Sequence, residues 1–239
     1  MTADAPTAQA RERDAPRARF HDLDALRAFA ILVVILFHVG MVARGFADAA
    51  VEPYKSGLRW LTAVAHDFQM PVFFVMSGFF GALVVERSGA SEFARGRLVR
   101  IGVPLLAGWL VMGPVLNALT LWGENLRGGD PPPVDAGVLF TQDLHHLWFL
   151  WYLLMYCAVV LAVRAALARA QGAAGRGRGA FAALVASPWL VLAVLVPLTA
   201  IVLWPASLWT AAVPPEITPH AEPFAYHLLF FAFGWLLHA

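Results

Sequence analysis

Six stretches of the chain are almost continuously apolar, at about residues 25–43, 68–85, 101–122, 147–163, 181–203 and 224–239. The first five approach or exceed the roughly 20 residues that a helix needs to cross a bilayer. The sixth stops with the chain. Polar and charged residues collect between these stretches rather than alternating within them, so the pattern predicts an all-α fold: a polytopic transmembrane helical bundle of about six spans, incomplete at the C-terminus. Pro71, Pro104, Pro114 and Pro197 fall inside the apolar stretches. Membrane helices tolerate them when neighbouring helices satisfy the freed carbonyls, which again implies a bundle. Residues 1–20 read as a solvated cytoplasmic tail and residues 21–239 as one truncated membrane domain.

Composition supports this division. Of 239 residues, 60% are hydrophobic and 14% charged, well beyond the apolar share of a water-soluble domain. The net charge of +1 supplies no general basic field for nucleic acid. Cys157 is the only cysteine, which excludes an internal disulfide framework and a zinc site built on cysteine pairs. The tail is not a clean signal peptide: the apolar run behind it is long, carries Arg27 and His38, and is followed by further spans. Thirteen of the 17 Lys and Arg residues lie in the tail with the entry to the first span, in Arg87–Arg100, or in Arg164–Arg178. Because positive loops resist translocation, the N-terminus is expected on the cytoplasmic side of the inner (plasma) membrane.

The first apolar stretch holds the most telling polar residues. Eleven helical residues turn through about 1100°, so Arg27 and His38 share one face, about 16 Å apart along the axis. Arg27 also suits a snorkelling anchor at the boundary. His38 is too deep for that, and an intramembrane ionisable group is by default a functional candidate. Burial favours neutral imidazole, and a neutral ring can accept a proton from a hydroxyl, so His38 suits a general base. The run RGRLVR sets Arg97 and Arg100 three residues apart, one helical turn, able to meet phosphate groups as a fork. Ordinary positive-inside anchoring accounts for them equally well.

Other polar residues have simpler explanations. His66, Asp67, His145 and His146 lie at the rims of spans, where they can bind an acceptor or serve as interfacial caps beside Trp148 and Trp151. Asn117, Tyr152 and Tyr156 can line an acceptor route or hydrogen-bond between helices. The eight histidines form no helical ligand box of the HExxH kind, so no metal is expected. On these residues alone, a membrane enzyme competes with a carrier or exporter of a small anionic or lipid-linked substrate.

Four strings narrow the choice. FHDLDALRAFAILVVILFH (Phe20–His38), HDFQMPVFFVMSGFF (His66–Phe80), FARGRLVRIGVPLL (Phe93–Leu106) and HLWFLWYLLMY (His146–Tyr156) together resemble the acyltransferase family 3 membrane proteins. The second and fourth strings are most similar to the glucan-biosynthesis protein C branch. Beyond Tyr156, only YHLLFFAFGWLL (Tyr226–Leu237) resembles a family span.

The resemblance implies an inner-membrane O-acyltransferase that moves an acyl group from acyl-CoA to a hydroxyl of a carbohydrate or other acceptor. The family's first-span arginine and histidine fall on Arg27 and His38, its R-x-x-R pair on Arg97 and Arg100, and its Ser-Gly-Phe on Ser77, Gly78 and Phe79. Family members usually have about ten spans, which is a further reason to expect a truncated chain. In the mechanism this implies, Arg97 and Arg100, with Arg27, hold the donor's phosphates, and His38 activates the acceptor hydroxyl. Backbone donors near Ser77 and Gly78 are candidates to stabilise the oxyanion, although small residues in a span more often mean close helix packing. His146 is a candidate acceptor contact. Nucleophilic attack by Ser77 itself is disfavoured, because the sequence shows no base partner for it.

Overall fold

A computed structural model describes residues 21–45, 54–126, 128–130, 133–141, 143–169, 184–205 and 216–238. The tail before residue 21 and the glycine- and arginine-containing segment at residues 171–180, which the sequence reads as a flexible basic linker, lie outside these residues. Among the described residues the fold is helical, and the only β pairing is an isolated bridge between Asp143 and Glu216. The long helices are α1 (His21–Gly45), α2 (Lys55–Arg97) and α3 (Val103–Leu126), followed by a short α4 (Ala136–Leu139), then α5 (Trp148–Arg169), α6 (Pro188–Leu203) and α7 (Ala221–His238). Each apolar stretch read from the sequence carries one of the long helices.

Boundaries differ from expectation in three informative places. The stretch at 68–85 is the middle of a helix that begins at Lys55, so residues expected in the preceding loop are helical. The arginine-rich segment between the second and third stretches is not a loop. It is helix interrupted at Gly89 and continued by a π turn, Leu98–Gly102. Gly89 has φ 84° and ψ 166°, a conformation that is accessible essentially only without a Cβ. In the fifth stretch Leu184 and Val185 are helical, Ser187 is extended and interrupts the helix, and α6 starts at Pro188, where proline is preorganised for the first helical turn.

Two stretches, Lys55–Leu126 and His145–Ala168, are long and apolar enough to cross a bilayer, and Ala28–Gly40 and Pro188–Leu203 are shorter apolar helices. The first has 72 residues, which at 1.5 Å each would extend about 108 Å, more than three times a ~30 Å hydrocarbon core. A single straight crossing does not need that length, and the helix is broken within it at Gly89. Large apolar side chains stay exposed along the helices, including Leu32 (64%), Val111 (62%) and Trp189 (77%). In water this would be a severe liability, whereas in lipid such surfaces carry no penalty.

The chain forms two compact units, residues 1–65 and 66–239. In the first, Gly40 of α1 is closed over by the methyl group of buried Thr62, where a Cβ would clash. Thr62 satisfies its own hydroxyl by donating to the Leu58 carbonyl (2.8 Å). The second unit is organised around aromatic packing of α2, α5 and α7. Phe74, Tyr152, Tyr156 and Phe231 are each at most 1% exposed. Phe74 contacts Phe149 (4.9 Å between ring centroids), Tyr156 (5.3 Å) and His227 (4.9 Å). Beyond the Gly89 break, Phe93 returns to this core and meets the Trp235 ring edge-on at 5.9 Å. α2 and α7 cross with backbones in contact, since a Cβ on Gly78 would run into the Phe231 carbonyl and one on Gly234 into the Val75 carbonyl. Small residues permit that approach, which adds dispersion contact where lipid supplies no hydrophobic drive.

Candidate active site

His38 sits two turns from the C-terminal end of α1, and its ring is half-buried. Its Nδ1–H donates to the Val34 carbonyl one turn back (2.8 Å), and the Phe37 ring meets it edge-on at 5.1 Å. With the proton on Nδ1, the neutral ring carries its lone pair on Nε2, the atom that would accept a proton. α1 is helical through both Arg27 and His38, so the shared lane expected from their spacing is present in the backbone. The Arg27 side chain lies outside what the structure describes.

The two arginines near the third stretch occupy different surroundings. Arg97 is half-buried, with its Cζ 5.0 Å above the centre of the Phe93 ring. Phe93 is 1% exposed, so this cation–π contact fixes the guanidinium against the core of the second unit. Arg100 lies within the π turn and is exposed. A π turn takes more residues than an α turn, so residues three apart are rotated further from a common face. The α-helical spacing from which a fork was expected is therefore not the local geometry; the pair is one anchored cation and one exposed cation.

Ser77 and Gly78 lie in α2 at its crossing with α7. Gly78 is buried against the Phe231 carbonyl, so close packing explains its lack of a side chain, and Ser77 beside it is half-buried. His146 is exposed in a short 3-10 segment, His145–Leu147, that leads into α5. The loop in front of this segment is well tied. Asp135 Oδ1 caps α4 by accepting from the Val138 N–H (2.8 Å), and the Asn117 amide donates to the Leu139 carbonyl (2.8 Å) and Thr141 Oγ1 (3.2 Å). Trp151 Nε1–H donates to the Ile217 carbonyl (2.9 Å), which fastens the lead into α7 to the start of α5.

Sequence reasoning passed over Gln69 and His227. His227 is 1% exposed and donates its Nδ1–H to the Pro223 carbonyl (2.7 Å), the same local arrangement as His38. Its ring is enclosed by Phe74, Trp148 (5.4 Å), Tyr152 (6.4 Å) and Tyr226 (5.0 Å). Gln69 is fully buried, and among the described residues neither amide atom has a hydrogen-bond partner. His145 Nε2 is likewise buried without a partner among them, and its φ of 47° is unusual for a residue with a side chain. Such a conformation costs on the order of 1–3 kcal/mol and persists only where its surroundings impose it. A lone Gln within an apolar run was the available signal; the burial that makes it notable depends on packing.

A helical membrane protein with polar side chains enclosed among its helices is thus the class that fold and site define. The profile of the family described as Acyltransferase domain matches residues 20–239, and the chain belongs to this family, acyltransferase family 3. Similar relatives are the glucans biosynthesis protein C of Salmonella paratyphi B, Salmonella heidelberg and Salmonella enteritidis, each 29% identical over 156 residues. The match covers 62% of this chain and 40% of each relative, so the chain spans well under half the length of those proteins. No solved structure matches it.

Proposed function

We propose that this chain is the catalytic part of an O-acyltransferase of the inner (plasma) membrane, with a cytoplasmic N-terminus and about six crossings, that moves an acyl group from acyl-CoA to a hydroxyl of a carbohydrate acceptor. The observation that supports this reading is His38: an imidazole in an apolar helix of an acyltransferase-family chain, with its Nδ1–H on the Val34 carbonyl so that Nε2 carries the lone pair a base needs. His38 Nε2 takes the proton of the acceptor hydroxyl as that oxygen attacks the thioester carbonyl. The tetrahedral oxyanion collapses, the C–S bond breaks, and the departing thiolate of coenzyme A receives the proton from the imidazolium. The products are an ester and free coenzyme A.

Arg97 and Arg100 contribute positive charge toward the donor's phosphates, Arg97 from a fixed position over Phe93 and Arg100 from an exposed one. Arg27, on the His38 lane of α1, is a further cation for the donor. Since Gly78 is engaged in helix packing, the oxyanion role proposed for that pair falls to Ser77. His146, on the rim, is an acceptor contact. The name of the Salmonella relatives favours a glucan as the acceptor class.

The test is direct. Protein purified in detergent, incubated with acetyl-CoA and a gluco-oligosaccharide, releases free thiol and forms an ester on the sugar. His38→Ala removes turnover while the protein keeps its elution profile and thermal transition. Turnover by His38→Ala at the wild-type rate would exclude the proposed base, and uptake of acceptor into vesicles without ester formation would instead favour the carrier reading.

A further inference from the structure

We infer that the last turn of α7 is a clasp on both arms of the Gly89 break in α2, and that Glu86, His238 and Trp235 are positioning residues that set where Arg97 stands to meet the donor, a reading that rests on the acyltransferase assignment for what Arg97 meets. Glycine permits the turn at position 89, but a Cβ there would meet no described side chain, so the site itself does not hold the angle. The holding contacts come from α7. Before the break, His238 donates its Nε2–H to Glu86 Oε2 (2.6 Å), a bond between residues 152 apart in the chain, and its ring meets Phe79 edge-on at 5.3 Å. A carboxylate only accepts, so the proton is the imidazole's.

Beyond the break, the Phe93 ring meets Trp235 edge-on at 5.9 Å. The same indole stands 3.0 Å from where a Cβ on Gly81 would lie, and the Phe93 ring stands 3.5 Å from that point. Gly81 precedes the break and Phe93 follows it, so the two arms close on one indole. Trp235 and His238 are three residues apart on α7 and share a face. The line of contacts ends at the cation: Arg97 Cζ lies 5.0 Å over the Phe93 ring, so a movement of the second arm carries the guanidinium with it. Glu86 is exposed and His238 half-buried, and an ion pair so placed adds little to stability. Its consequence is positional, because it ties the turn that carries Trp235 to the arm before the break.

The test uses the full chain in detergent, with Cys157→Ala removing the native thiol and Val84→Cys with Leu98→Cys carrying spin labels at exposed positions on the two arms. The distance distribution between the labels is expected to be narrow, and to broaden in Glu86→Ala and in His238→Ala. Glu86→Gln keeps an oxygen for the imidazole N–H and is expected to restore the narrow distribution. In unlabelled protein, calorimetry with coenzyme A is expected to show each alanine variant binding about fivefold more weakly, with the KM for acetyl-CoA raised by the same factor and kcat retained. A pair that served stability alone would lower the unfolding temperature and leave distances and affinity in the folded protein unchanged. That result overturns the clasp, and so does an unchanged distribution in Glu86→Ala. The two readings fail separately: broadening in a protein that binds no coenzyme A keeps the clasp and rejects Arg97 as a donor contact, whereas ester formation and coenzyme A affinity indifferent to Glu86→Ala keep the transferase and reject the positioning.

Discussion

His38 and His227 solve the same local problem in the same way and end in opposite circumstances. Each lies in an apolar helix and donates Nδ1–H to the carbonyl four residues earlier, Val34 for one and Pro223 for the other. That bond fixes the tautomer and leaves the lone pair on Nε2. Around His38 the neighbouring side chains Ile35, Leu36 and Val39 are 54%, 48% and 59% exposed, and the ring is only half-buried. Around His227, rings of Phe74, Trp148, Tyr152 and Tyr226 close in. A histidine's backbone hydrogen bond therefore says which nitrogen is basic, while its surroundings say whether a substrate can reach it. On that ground His38 is the base in the proposed mechanism, and His227 belongs to the packing of the second unit.

Exchanging the roles experimentally is the sharpest test. His38→Ala is expected to reduce acyl transfer by about 10²–10⁴-fold, the usual contribution of a general base, with thermal unfolding unchanged within a few degrees. Should His227→Ala produce the larger loss of turnover per folded molecule, the assignment of the base would pass to it. Next in size is Gly234→Val, which forces a branched side chain into the Val75 backbone and is expected to destabilise by about 3 kcal/mol or more, read as a lost or aggregated peak in size-exclusion chromatography. The matching change near His38, Gly40→Val, meets the Thr62 methyl among the described residues and is expected to cost less. If the two cost the same, the contrast between the regions is smaller than their packing indicates.

His227→Ala itself opens a space among four aromatic rings and is expected to lose about 2–4 kcal/mol of stability, measured by thermal or denaturant unfolding. Gly89→Ala should cost about 1–3 kcal/mol, because φ 84° with ψ 166° suits only glycine, and none of the described residues crowds the site to add a clash. The smallest effect belongs to Phe93→Leu. Removing the ring beneath Arg97 is expected to cost about 0.5–1 kcal/mol of cation–π attraction and to raise the KM for acetyl-CoA modestly, with kcat retained.

Legibility in the sequence varied by feature. Helix positions were readable because apolar runs of that length have few alternatives, and the lane joining Arg27 to His38 follows from helical periodicity alone. Family membership was carried by four strings spread over residues 20–156, and the profile match over residues 20–239 agrees with them. The π turn at Leu98–Gly102 was not readable, since Arg97 and Arg100 have the spacing of an ordinary α turn and no local residue announces the wider one. Gly78 read as an oxyanion candidate or, more often for a small residue in a span, a packing contact, and the approach of Phe231 settled which partner it packs against. Gln69 and His227 went unmarked because one polar residue in an apolar run looks the same whether it faces lipid, water or another helix.

By itself, then, the sequence determined the helical class, the placement of the helices and the family, because these depend on composition and on periodicity within single segments. Tertiary structure decided which polar groups are enclosed, which glycines are contacts between backbones, and which of two similarly bonded histidines stays accessible. Those properties arise from the meeting of residues far apart in the chain, such as Phe73 with Phe149 or Val75 with Gly234, and no local pattern encodes which distant partner will arrive.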